Sequence, residues 1–148
     1  MSPRVSADLR RLVQARARGR CEYCLIHEDD AHFSHQADHI VAQKHRGATH
    51  EDNLAWACYL CNLLKGSGIA SVDLDTGQIV PLFNPRRDRW AEHFRLEDGR
   101  IVPLTPVGRV TECLLQFNRP QSVQERRWLV EVGRYPGGPT AGAESRSG

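Results

Sequence analysis

Apolar residues near the start of the chain fall at Leu9, Leu12, Val13 and Ala17, the spacing of one helix face, and Ser6 stands where an N-cap belongs. The pattern predicts an amphipathic helix over 6–18 with an arginine-rich outer face. Residues 32–40 then read as a strand, 41–52 as a loop broken by Gly47, 53–57 as an apolar segment, and 61–65 as a short helix stopped by Gly66. Two strands and a helix around a central loop follow from that order.

The second half is more regular. VDLDTGQIV and RLEDGRIV each set an Asp-x-Gly or Asp-Gly turn between β-branched residues, which predicts two hairpins. Between them DRWAEHF predicts a short helix with an Asp cap. Segments 105–117 and 122–132 carry apolar residues at helical spacing and are separated by Asn118-Arg119-Pro120. Residues 136–148 lack the apolar content to pack and are expected to be a disordered tail. The expected organisation is one domain over 1–135, with the N-terminal helix at 6–18, a core at about 20–66 and a C-terminal extension over 67–135.

Composition adds bounds. A chain of 148 residues with 40% hydrophobic and 26% charged content is ordinary for a soluble domain with a modest core. No apolar run approaches the length of a membrane helix, and MSPRVSADLRR has no apolar signal region, so a cytoplasmic protein without a membrane partner is expected. The net charge of +2 does not by itself argue for a nucleic-acid partner. Eighteen of the twenty basic residues are Arg, whose planar fork matches phosphate, although a GC-rich genome would produce the same bias. Residues 1–20 form a local basic patch, with six Arg against one Asp.

Four of the five cysteines fall in two pairs, Cys21-x-x-Cys24 and Cys58-x-x-Cys61, with 33 residues between them. Four thiolates complete a tetrahedral zinc shell, and a two-residue spacer turns both sulfurs of a knuckle toward one ion. Such a shell leaves no place for water or substrate, so this Zn²⁺ is expected to be structural. Two matched pairs weigh against a redox reading of either one. Cys113, alone in a helical pattern, is expected to be a buried core thiol.

Inside that frame stand Asp38-His39 at the end of the first expected strand and then Asn53, and just after it Asn62 and Lys65. Neighbouring side chains in a strand face opposite ways, so Asp38 and His39 can serve one site only if the strand ends or bends there. The order Cys-x-x-Cys, Asp-His-Ile-Val, a Gly-containing loop, Asp-Asn-Leu and Cys-x-x-Cys-Asn-x-x-Lys resembles the HNH endonuclease family over roughly residues 20–66. The resemblance implies an α+β fold: a ββα-metal HNH nuclease core with a structural four-cysteine zinc site, here followed by a C-terminal extension of hairpins and helices.

It also implies an activity, the metal-dependent hydrolysis of DNA phosphodiester bonds to 3′-hydroxyl and 5′-phosphate ends, with double-stranded DNA as partner. His39 resembles the family's general base, a task that suits an imidazole. Asn53 matches the Asn that holds the catalytic loop and orients the base. Asp38 and Asn62 match the ligands of one catalytic cation, and Asn62 in place of the last His makes this an HNN variant. An amide oxygen and a carboxylate suit Mg²⁺ or Mn²⁺.

Lys65 falls at the family's basic position, where it would hold a DNA phosphate. Lys44 and Arg46 in the loop, and Arg86 and Arg87 in NPRRDRW, are further candidates. NPRRDRWAEHF resembles a segment that follows the HNH module in a group of bacterial stand-alone members; the alternative is a solvated turn with Trp90 packed in the core. His45 and His50 sit in the loop within reach of phosphate or solvent, and His27, His32 and His35 are expected to be structural.

Two other classes remain. A non-catalytic, zinc-stabilised nucleic-acid-binding module would carry a vestigial Asp38, His39 and Asn53, and the intact set argues against it. A protein-interaction zinc domain would not need Asp-His-Ile at a strand end.

Overall fold

Ser6 starts the first helix. Its side chain accepts from the Leu9 amide at 3.1 Å, and α1 runs Ala7–Arg16 in the computed structural model, which describes residues 4–137. Val13 is fully buried, with Leu9 and Ala17 packed beside it, whereas Leu12 is exposed, so the buried stripe is narrower than its spacing implies. The tail expected over 136–148 lies, from residue 138 onward, outside the described residues.

Strands β1, Gln36–His39, and β2, Leu54–Ala57, pair antiparallel with Asp38 opposite Ala55 and His39 opposite Leu54. The strand expected over 32–40 is shorter because Gln36 already faces Ala57, the last residue of β2, and nothing upstream has a ladder partner. β2 is buried on both faces. Leu54 and Trp56 pack toward Val13 of α1, while the small side chains of Ala55 and Ala57 join the cluster that contains the four paired cysteines. A period of two with large and small residues alternating makes this possible.

Helix α2, Tyr59–Lys65, begins directly after β2, two residues earlier than expected. Cys58 caps it through its sulfur, and Gly66 ends it at a positive φ of 52°. Beyond it, β3, Ala70–Val72, pairs with β4, Ile79–Pro81, and β5, Phe94–Glu97, pairs with β6, Arg100–Pro103. The Asp98-Gly99 turn has positive φ at both residues, 50° and 81°, as a tight hairpin requires.

Three helices complete the described chain: α3, Trp90–His93, α4, Pro106–Leu114, and α5, Pro120–Glu131. The Asp cap expected for α3 is absent. Arg89 is its N-cap without a side-chain bond, and Asp88 instead accepts from the Asn84 amide at 2.9 Å. Cys113 is exposed rather than a core thiol, because α4 turns Gly108, Val110 and Thr111 inward and leaves position 113 facing solvent.

Phe94 organises the aromatic part of the core, with ring centroids at 5.5 Å from Phe83, 5.0 Å from Trp90 and 5.6 Å from Phe117. Trp90 also donates through Nε1 to the Tyr23 carbonyl at 2.8 Å, fixing the second half of the chain to the first knuckle. Tyr135 does the same from the far end, its hydroxyl donating to the Cys24 carbonyl at 2.7 Å. None of the described helices is long and apolar enough to cross a membrane.

Candidate active site and zinc cluster

The sulfurs of Cys21, Cys24, Cys58 and Cys61 lie within 4.8 Å of one another, and all four residues are buried. A Zn–S bond of ~2.3 Å gives a tetrahedron with edges of about 3.8 Å. The Cys24 and Cys58 sulfurs are 3.7 Å apart, so the residues fit the ion. Without a cation the thiols contend for protons. Hydrogen bonding within the cluster and burial push Cys24 and Cys61 well above the ordinary thiol range, while donation from the other three pulls Cys58 down. A divalent cation would relieve that contention by favouring thiolate at every position.

Asp38 points inward from β1 and is only 5% exposed. Its Oδ2 accepts from the Tyr23 hydroxyl at 2.9 Å and lies 3.1 Å from Lys65 Nζ. Burial raises the Asp38 carboxyl, and the Lys65 charge and the Tyr23 hydroxyl oppose that rise. Burial, reinforced by the neighbouring carboxylate, pushes Tyr23 well above the ordinary phenol range. Lys65 is itself 4% exposed and also donates to the His39 carbonyl at 3.0 Å. The ammonium expected at a DNA phosphate is therefore spent inside the protein: α2 aims it at β1 and away from solvent.

His39 is the last residue of β1, half-buried, so the strand ends at the point where Asp38 and His39 would otherwise be held on opposite faces. Its Nε2 lies 2.9 Å from the Thr49 hydroxyl, which also accepts from Gln43 Nε2 at 3.1 Å. In the tautomer in which Nε2 donates to Thr49, Nδ1 is the nitrogen free to take up a proton. The loop that carries Thr49 is closed by Asn53. Its Oδ1 accepts from the Val41 amide at 2.9 Å, and its Nδ2 donates to the carbonyls of Val41 at 2.9 Å and Ala48 at 2.8 Å. Gly47 is required there, since a Cβ at that position would lie 1.7 Å from the Val41 carbonyl oxygen.

The zinc frame, the strand-end Asp38-His39 pair, the pinned loop and the helix after the second knuckle form one continuous stretch. Residues 21–68 match the HNH endonuclease family. The matched stretch takes in both knuckles, β1, the loop, β2 and α2, and leaves α1 and everything from β3 onward outside it. No curated protein and no solved structure matches the chain. The match relates this segment, about a third of the chain, to nucleases.

The remaining candidates divide between the HNH segment's surface and its supports. Asn62 is half-buried on α2, and its side-chain amide takes part in no hydrogen bond among the described residues, which leaves its oxygen available as a hard neutral donor. Lys44 and Arg46 are exposed in the loop, and Arg87 is exposed beside a cavity of about 340 Å³ that Lys65 also lines. Arg86 is paired with Glu22 and half-buried, so it braces the first knuckle. His27 and His50 cap short turns through Nδ1, and His35 is buried with Nε2 at 3.0 Å from the Ile26 carbonyl.

Sequence reasoning missed Tyr23 and Thr49. Tyr23 occupies a knuckle spacer, a position read only as a spacer. Thr49 sits four residues before Asn53 in a loop with no periodicity to mark it.

Proposed function

We propose that the HNH segment hydrolyses DNA phosphodiester bonds, with His39 as general base. The observation that carries this reading is the arrangement at the end of β1: His39 held through Nε2 by Thr49, on a loop pinned by three bonds from Asn53. His39 Nδ1 takes the proton from a water as it attacks phosphorus, and Thr49 keeps the ring from rotating. Asn53 positions the base without touching substrate.

Asp38 and Asn62 would hold one divalent cation, which when bound neutralises the scissile phosphate and stabilises the leaving oxygen. Lys44, Arg46 and Arg87 are the exposed cations that hold the backbone of double-stranded DNA in this reading. The four cysteines, with a Zn²⁺ bound, would keep α2, which carries Asn62, registered against β1, which carries Asp38.

Incubating supercoiled plasmid with the protein and Mg²⁺ or Mn²⁺, beside the His39→Ala variant, tests the proposal. Wild type should nick or linearise the plasmid, and His39→Ala should lose about 10²–10⁴ of the rate while binding DNA as before. Equal cleavage by both would sink the assignment of the base. A second reading, a non-catalytic nucleic-acid-binding module, is favoured by the pairing of Asp38 with Lys65, and DNA binding without cleavage by wild type would support it.

A further inference from the structure

Lys65 and Asp38 form the most deeply buried ion pair among the described residues, with side chains 2% and 5% exposed. The Lys65 ammonium lies 3.1 Å from Oδ2, 3.5 Å from Oδ1 and 3.0 Å from the His39 carbonyl oxygen, so one cation touches both the proposed ligand and the backbone of the proposed base. We infer that Lys65 is an internal counter-cation that competes with the divalent ion for Asp38 and leaves the carboxylate when that ion binds. The inference rests on the nuclease reading for Asp38 as a ligand, and on geometry for everything else.

A carboxylate this deeply buried needs a compensating charge, which Lys65 supplies in the absence of metal. An ammonium and a divalent cation on the same carboxylate repel each other at short range, in surroundings that screen them poorly. Each therefore weakens the other's hold on Asp38. Lys65 has somewhere to go. It is the last residue of α2, next to Gly66, and it lines the cavity of about 340 Å³ together with Ile40, Val41, Arg87 and Asp88. The Asp88 carboxylate offers a new partner there, and exposed Arg87 stands beside it. Metal binding would thus deliver a cation from the interior to the side where Arg87 awaits phosphate. The free protein should accordingly hold divalent ions weakly.

The chain has only two lysines, Lys44 and Lys65, which makes amine acetylation read by mass spectrometry a direct test. In the zinc-loaded wild type, exposed Lys44 serves as the reference, and Lys65 should be protected until Mn²⁺ is added. Its acetylation relative to Lys44 should then rise several-fold and saturate with Mn²⁺. The Lys65→Met variant, checked for unchanged zinc content, should bind Mn²⁺ about tenfold more tightly by titration of free Mn²⁺, since a group that opposes the ligand acts with the weight of other outer-shell partners. Should that variant fail to fold, the wild-type footprint decides alone. Lys65 that stays protected at Mn²⁺ concentrations saturating for cleavage would overturn the inference while leaving the nuclease reading intact. Release of Lys65 by Mn²⁺ without any strand cleavage would support the inference and sink the nuclease reading.

Discussion

The Tyr23 hydroxyl donates to Asp38 Oδ2 across 2.9 Å, so the spacer of the first zinc knuckle reaches the proposed metal ligand directly. The neighbouring spacer residue, Glu22, accepts from the Trp56 amide at 2.7 Å and pairs with Arg86. Both spacer residues therefore convert the knuckle's position into the position of β1 and β2. Tyr23→Phe should keep the zinc and lose one bond to a charged acceptor, a cost of about 1.5–3 kcal/mol in denaturant unfolding. Metal-dependent cleavage should fall about 10–100-fold, the range typical of residues that orient a ligand. A variant with full activity would mean that the Tyr23 hydroxyl does not orient Asp38 for the reaction.

One zinc per chain should remain with protein purified without added metal. Cys58 is both a candidate ligand and the cap of α2, so Cys58→Ser should lose the ion and loosen the helix that carries Asn62. Elemental analysis with circular dichroism checks this, and a folded wild-type protein that contains no zinc would defeat it.

Much of this architecture is legible in the sequence, for identifiable reasons. The knuckle spacing states which sulfurs can share an ion, and Asp98-Gly99 between β-branched runs states a hairpin, because both are local constraints. The direction of a side chain in three dimensions is not local. Lys65 reads as a surface cation until α2 lies against β1, where its long stem reaches Asp38. A signal was present, since Asn62 and Lys65 are three residues apart on one helix and share a face, so if Asn62 faces Asp38 as the resemblance implies, Lys65 faces it too. Tyr23 and Thr49 carry no comparable mark. Their roles arise from contacts with residues fifteen and ten positions away that no periodicity relates.

Acid should weaken the fold through Asp73, away from the site. Arg109 donates to its carboxylate through Nε at 3.1 Å and Nη2 at 2.9 Å, and this pairing holds the Asp73 carboxyl below the ordinary carboxylate range. The unfolded chain then binds the proton more readily than the folded one. The pair's contribution is therefore complete above the ordinary carboxylate pKa and is lost as pH falls through the lowered folded value. Melting temperatures of wild type and Arg109→Ala should differ at neutral pH and converge at strongly acid pH. A gap that does not change with pH would mean that the pair contributes through packing alone.

The loop that holds His39 should fail as a unit. Asn53 closes it with three bonds to Val41 and Ala48, and the Ile40 amide donates to the Asn53 carbonyl at 2.9 Å, continuing the β1–β2 pairing beyond the strand. Gly47 lets the chain pass against Val41 and the Asn53 side chain. Three net hydrogen bonds of roughly 1 kcal/mol each put the cost of Asn53→Ala at about 2–4 kcal/mol. Gly47→Ala should cost a comparable amount, since its Cβ would meet backbone that cannot give way. Each change should abolish cleavage while zinc stays bound, because the cysteines are anchored outside the loop. His39→Ala should abolish cleavage with little loss of stability, which separates the base from the residues that position it. Since Asn53 and Gly47 support the same closure, the double variant should lose clearly less stability than the sum of the single losses. Strict additivity in denaturant unfolding would show that the two residues act on separate features and that the loop is not one cooperative element.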